Sequence, residues 1–474
     1  MTPIGNHTRR AFLKSVAGFG ALGASGPLAM QFAALASASG AQAAASDYKA
    51  LVCVYLNGGN DHFDTLVPYD TDNYNALAKL RGNIIQPKNT LLALPSSTSQ
   101  NGLSAALHPG LQNVNKFFKD GRLAILSSVG PLIEPVTRAQ LAAGTKLVAP
   151  GYGSHNDGNS MWHALGTEGT RYGWAGKMLD SLVSMKNATF ASMSVGYYNA
   201  FGSGVTTDQF QLFSDGVLNN FAGINQVSYL GSPLGAETLK TLLKQSASDN
   251  LLQDAYTSLN RRTLEGIATL QTALNAAKDA YPWTEKRTGT YNSVELYRDN
   301  NLLAQMRVVA RLLSQRATLN VSRQVFFVEL MGFDTHSNQV ADHSRLLQQL
   351  DVALGYLDDC LGQMGLRDSV MTFTTSEFGR NLPQNGDGTD HGWGGVQFVM
   401  GGGMKPGKGG KIYGTLPKIG LNSPDIHPAL STIPTTSVEQ VVATLGKWFG
   451  VSDSTLSDIL PNLKNFSPRY LDFA

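Results

Sequence analysis

Four short segments concentrate the side chains that bind divalent metals or move protons. They are Asp61 with His62; Ser154-His155-Asn156-Asp157; Asp334-Thr335-His336; and Glu377, followed by Asp390-His391. Aspartate, glutamate and histidine are the ligand types for divalent cations where thiolates are absent. The 2 cysteines, Cys53 and Cys360, exclude a Cys-based zinc finger and a disulfide-rich scaffold. A pair at i and i+2, such as Asp334 and His336, aims both side chains to one side of an extended loop. Each segment also has a structural reading. Asp61 in an NGGND turn can hydrogen-bond backbone amides, and Ser154 or Asp157 can be a helix N-cap. His391, among glycine turns, can be a hydrogen-bonded structural histidine. Arg380, three residues after Glu377, either braces an anionic substrate bidentately or stabilises its own loop. His108, His163, His343 and His427 are taken as structural or surface residues.

What positions these segments is a set of short apolar runs. Residues 50–56, ALVCVYL, are nearly continuous hydrophobe, the pattern of a strand covered on both faces. GRLAILSSVG, FASMSVGYY, RQVFFVELM, VMTFTT and GGVQFVMGGG repeat the pattern, and the polar motifs are expected to follow their strands directly. Helices are expected over Leu107–Lys119, 174–186, 299–315 and the leucine stripe 346–361. The spacing of Thr436 and Glu439 predicts a capping box before VEQVVATLGKWFG. Leu252, Tyr256, Leu259, Thr263, Ile267, Leu270 and Leu274 step by three or four, so 235–316 reads as a helical insertion between strands. Alternation of strand and helix implies an α/β sandwich with a largely parallel sheet, whose ligands gather beyond the carboxyl ends of the strands. Gly402 to Lys408 matches GxxxxGK, but the next residue is Gly409 and no helix pattern follows, so nucleotide binding there is rejected.

The chain has 474 residues with 37 Lys plus Arg against 35 Asp plus Glu, a formal charge of +2 without a Lys/Arg-dense segment. That balance argues against a dedicated nucleic-acid partner. The basic excess sits at the N-terminus, where Arg9, Arg10 and Lys14 meet no acid through residue 43. TRRAFLK, followed by a Gly/Ala-rich apolar run and Ala41-Gln42-Ala43, resembles a twin-arginine export signal. Residues 1–43 are therefore expected to be removed, and residues 44–474 to form a single domain of charge −1. Glycines and Pro27 weaken the alternative of a membrane anchor, so no stable membrane span is expected after cleavage. The resemblance implies the twin-arginine translocase as a partner and a periplasmic or secreted location. There Cys53 and Cys360 read as two buried thiols in preference to a bridge.

The ordered motifs LNGGNDHFDTLVPYD, SHND, GFDTHSNQ, SEFGRN and GTDHGWGG resemble domain-of-unknown-function family 1501, over roughly residues 48–460. That resemblance implies an alkaline phosphatase-like three-layer sandwich related to sulfatases and phosphonoacetate hydrolases. It also implies one or two divalent cations (Zn, Ca or Mg) held by Asp61, Asp334, His336, Glu377 and His391. Ser154, opening a helix, takes the nucleophile position. The chain departs from the superfamily pattern at Asn57, where an Asp ligand is usual, at Asn338 in a His position, and at Glu377-Phe378 in place of Asp-His. The expected function is an exported metal-dependent hydrolase acting on an anionic small-molecule or polymer ester of phosphate or sulfate. The alternative is a non-catalytic surface-assembly or ligand-binding protein that keeps the fold.

Overall fold

The computed structural model describes residues 47–182, 188–214, 231–244, 251–281, 300–404 and 407–474. The export segment 1–43 and parts of 235–316 lie outside the described residues. Twelve strands follow in chain order: β1 (Lys49–Asn57), β2 (Leu66–Pro68), β3 (Leu92–Ala93), β4 (Ala105–Leu107), β5 (Leu123–Gly130), β6 (Ser192–Ser194), β7 (Phe210–Gln211), β8 (Arg323–Met331), β9 (Val370–Thr375), β10 (Gly395–Gly401), β11 (Ile412–Tyr413) and β12 (Thr436–Ser437). The main sheet has the order β11-β5-β10-β9-β1-β8-β6-β7, with β12 also on β5. Strands β2, β4 and β3 form a small second sheet.

The main sheet is parallel except at β10, which runs antiparallel to both β5 and β9. That exception matters for the site. A motif preceding an antiparallel strand lies at the same edge as motifs that follow the parallel ones. His391, upstream of β10, therefore reaches the carboxyl edge of β1, β8 and β9.

Strand β1 explains the three layers. Ala50, Val52, Val54 and Leu56 pack on one face against the helices Gln112–Lys119, Asn301–Ser314 and Gln339–Met364. Leu51, Cys53 and Tyr55 pack on the other against Trp174–Leu182, Val438–Phe449 and Asp453–Ile459. Burial on both faces is why β1 reads as an unbroken hydrophobic run, each large aliphatic contributing about 1.5–3 kcal/mol. Both cysteines are buried as thiols, with no disulfide between them.

Several element boundaries differ from the sequence expectation. The helix expected from Leu107 begins at Gln112, because Pro109-Gly110 interrupts the chain and Ala105–Leu107 pairs as β4. The strand expected over Phe190–Tyr198 pairs at Ser192–Ser194, beside Val325–Phe327 of β8. The capping box lies one residue later, at Ser437 and Gln440, because β12 runs through Ser437 and the helix starts at Val438. The Trp174–Leu182 helix is described to residue 182, and the remainder of that expectation lies outside the described residues. Within the expected insertion, Asn301–Ser314 belongs to the sandwich itself, burying Leu302, Met306, Val309 and Leu313 in the first core face. No helix among the described residues is long and apolar enough to cross a membrane.

Candidate metal centre

Three loops at the carboxyl edge of the sheet bring together His155, Asp334, His336 and His391. His155 opens the helix His155–Ala164, whose N-cap is Ser154, with its side-chain oxygen accepting from Asp157 N at 3.4 Å. That helix lies close to the end of β9 because residue 158 is glycine. A Cβ there would stand 2.7 Å from the Glu377 carbonyl oxygen. Asp334 and His336 follow β8. Their loop passes against Gly58, which has φ +121° and no room for a side chain, since a Cβ would lie 2.2 Å from Asp334 N.

The acceptors around the histidines fix their tautomers. His155 Nδ1 lies 2.9 Å from Glu377 Oε1, His391 Nδ1 lies 2.9 Å from the Gly153 carbonyl, and His336 Nδ1 lies 3.3 Å from Asp390 Oδ1. With Nδ1 donating to these oxygens, His155 and His391 present Nε2 as a lone pair. All three Nε2 atoms converge on Asp334. His336 and His391 approach its Oδ1 at 3.1 and 3.2 Å, and His155 approaches its Oδ2 at 3.5 Å. His336 and His391 Nε2 are 2.9 Å apart. Two ring nitrogens at that separation share either a proton or a cation. One ligand atom each from His155, Asp334 and His391 lies within 4.8 Å of the others. Imidazole nitrogens facing a common point, each fixed by an oxygen behind it, are the outer-shell pattern of metal-binding histidines. The residues fit a divalent cation.

The supporting residues are buried where the ligand atoms are half-open. Asp334 is 44% exposed and His391 26%, whereas Glu377 and Arg380 are at 0%. Arg380 Nη2 donates to Asp334 Oδ1 at 2.6 Å. Burial would raise the Asp334 carboxyl, but Arg380, then the histidine charges, hold it below the ordinary range. His155 is raised by its hydrogen bond to Glu377, against the effect of burial. His391 is lowered by burial, with Arg380 and His155 adding to the effect. Phe378 lies under both imidazoles, with ring centroids 4.4 Å from His391 and 5.0 Å from His155. Phe378 thus forms an aromatic floor beneath the two rings.

Asp334, His336 and His391 of the expected set are brought together, and three other assignments change. Asp61 is fully buried and accepts from Arg81 Nη1 at 2.5 Å, Arg81 Nη2 at 3.1 Å, Gln339 Nε2 at 2.5 Å and Phe63 N at 3.2 Å. Burial opposes its ionisation, but Arg81 overrides that and holds the carboxyl well below the usual range. Its lone pairs are engaged in a structural ion pair. Glu377 stands behind His155, also accepting from Gly58 N at 2.8 Å, so it orients that imidazole. Arg380 gives Nε to the Gly59 carbonyl at 2.8 Å, Nη1 to Thr389 at 2.9 Å and Nη2 to Phe333 at 2.9 Å, to Gly58 and to Asp334. It stabilises the loops and leaves no arm for a substrate. Asn57 is likewise engaged, donating to Glu329 Oε1 at 2.5 Å. Ser154 sits between Gly153 and His155, both tied to the centre, and is a helix N-cap as well as the nucleophile candidate. His155 is the residue that the sequence reading does not place among the ligands. Its signal was its place on the first turn of a helix, directly after Ser154.

The chain belongs to the family described as protein of unknown function (DUF1501), whose model matches residues 48–460. No curated protein matches the sequence. Among solved structures, a sulfatase from Pseudoalteromonas sp. is 11% identical, with TM-score 0.35, covering 88% of this chain and 72% of that one. A lipoteichoic acid synthase from Listeria monocytogenes is 7% identical, with TM-score 0.31 and coverage of 88% and 76%. A phosphonate monoester hydrolase from Silicibacter pomeroyi is 10% identical, with TM-score 0.30 and coverage of 85% and 74%. At these scores the likenesses assign neither activity nor substrate.

Proposed function

We propose that this protein is an exported, metal-dependent hydrolase of phosphate or sulfate esters. The observation that carries the reading is the convergence of three imidazole Nε2 atoms on Asp334, each ring fixed through Nδ1 by an oxygen acceptor. Asp334, His155 and His391 would hold the cation, with His336 at its edge. Two imidazole nitrogens and one carboxylate, with a third imidazole at the edge, suit zinc better than magnesium or calcium, which favour oxygen-only sets. The cation, when bound, supplies Lewis acidity toward an ester oxygen.

The chain supplies the rest. Ser154 is the candidate nucleophile, held at the N-terminus of His155–Ala164, where the helix dipole favours negative charge developing on the ester. Glu377, Gly153 and Arg380 fix His155, His391 and Asp334 respectively, so the ligands need little reorganisation. Export through the twin-arginine translocase to the periplasm or exterior is part of the same proposal and rests on residues 1–43. Zinc-loaded protein is expected to hydrolyse p-nitrophenyl esters of phosphate or sulfate, and Ser154→Ala to abolish turnover while retaining zinc.

A second reading, a non-catalytic ligand-binding or surface-assembly protein, is favoured by one observation: the guanidinium nearest the centre is spent on backbone carbonyls and Asp334. Stoichiometric zinc without hydrolysis of aryl phosphate monoesters, diesters or sulfates would establish that reading in place of the hydrolase.

A further inference from the structure

The charge carried by the ester can be read from what surrounds the centre, an inference that rests on the hydrolase reading. Asp334 and Glu377 stand inside it. Asp390 and Asp387 stand on the exposed loop beside it, with Asp390 Oδ1 3.3 Å from His336 Nδ1 and Asp387 Oδ2 accepting from Asn338 N at 3.0 Å. This loop packs directly on the His336 backbone. A Cβ on Gly388 would lie 2.3 Å from the His336 carbonyl carbon, and Thr389 N donates to the Thr335 carbonyl at 3.1 Å. Asp342, farther along, is met by Arg345 at 3.6 Å.

Against Asp334, Glu377, Asp387 and Asp390, Arg380 is the cation among the described ion pairs of the centre, and it is buried and engaged by backbone carbonyls and Asp334. With the imidazoles neutral on a divalent cation, Asp334, Glu377, Asp387 and Asp390 against Arg380 and that cation leave one net negative charge. The N-terminus of the Ser154 helix returns about half a charge. A phosphate monoester is a dianion above pH 7, whereas a phosphate diester, a phosphonate monoester and a sulfate monoester each carry one negative charge.

We propose that this centre selects singly charged esters and discriminates against dianionic phosphate monoesters, with the Asp387/Asp390 loop as the discriminating element. Hydrolysis then adds water across the ester, breaking one P–O or S–O bond; the alcohol leaves with one proton, and the acid keeps the new oxygen. One extra negative charge roughly 7 Å from an unneutralised carboxylate, at an effective dielectric of about 40, weakens binding about sevenfold.

The test uses two non-hydrolysable probes of similar shape, phenylphosphonate (a dianion at pH 8) and its monomethyl ester (a monoanion). Both are titrated calorimetrically into the zinc-loaded protein. At low salt the monoanion is expected to bind at least about sevenfold more tightly. That ratio should shrink several-fold in Asp387→Asn, which keeps the acceptor for Asn338 N, and should shrink again in 0.5 M salt, where screening acts over about 4 Å. Equal or tighter binding of the dianion at low salt overturns the inference and leaves the hydrolase reading standing. Binding of neither probe to protein that carries stoichiometric zinc overturns both.

Discussion

Replacing Asp61 by asparagine separates a structural carboxylate from a metal ligand. Asp61 is fully buried and holds both terminal nitrogens of an equally buried Arg81, at 2.5 and 3.1 Å. Arg81 in turn donates to the carbonyls of Leu382 at 2.5 Å and Asn381 at 2.8 Å, fixing the chain that leads toward His391. The neutral amide would leave the guanidinium buried without its counter-charge, a change that costs about 3–5 kcal/mol. For a unit of roughly 430 residues, with an unfolding entropy near 2.1 cal/mol/K per residue, that is a fall in Tm of about 3–5 °C. Because the folded carboxyl lies below its unfolded value, its stabilisation is present above about pH 4 and is lost as pH falls through the folded pKa. Asp61→Asn should therefore flatten the acid limb of stability as well as lower it. Scanning calorimetry of the metal-free protein reads the Tm, and elemental analysis of the reconstituted variant reads the metal. The variant should lose stability and keep its zinc. Unchanged Tm with lost zinc would show that Asp61 is a ligand and refute the assignment.

Two further outcomes follow from the geometry. Tyr152 stacks on Trp393 at 4.7 Å, with its hydroxyl 3.3 Å from His427 Nε2, and so anchors the segment whose Gly153 carbonyl holds His391. Tyr152→Ala should weaken zinc binding about tenfold in a chelator competition, and Tyr152→Phe, which keeps the stack, should restore it. Burial lowers His62 to about 4 and His163 to about 3, so both are neutral in the fold. The unfolded chain binds the extra protons below about pH 6.5. Stability of the metal-free protein should therefore fall by about 1–1.5 kcal/mol per histidine between pH 8 and 5.5, seen in urea titrations as a slope that His62→Gln and His163→Gln each reduce.

The sequence carried the layers and the edge more clearly than the roles within the centre. A strand covered on both faces must be hydrophobic at every position, so ALVCVYL announced β1 and its place in the middle of the sheet. Asp334 and His391 stood out as a carboxylate and a histidine in loops beside buried strands, and the fold brings the two within 3.2 Å. Residue type did not distinguish a ligand from the group behind it. Glu377 and Asp61 are both carboxylates in loops after strands, yet one orients His155 and the other neutralises Arg81. Neither partner is adjacent in sequence, and only the packing of distant loops reveals them. Arg380 failed as a substrate clamp for the same reason, since its acceptors are backbone carbonyls that no side-chain pattern records.

The central claim is that His155, Asp334 and His391 hold one divalent cation. Its most direct test is zinc stoichiometry after reconstitution and exhaustive dialysis, measured by elemental mass spectrometry for wild type and for the double variant Asp334→Ala/His391→Ala, with near-ultraviolet circular dichroism confirming that both are folded. The wild type should retain at least one tightly bound zinc per chain, and the folded double variant should retain none. Equal stoichiometric zinc in both, or a folded wild type that retains none, would contradict the account.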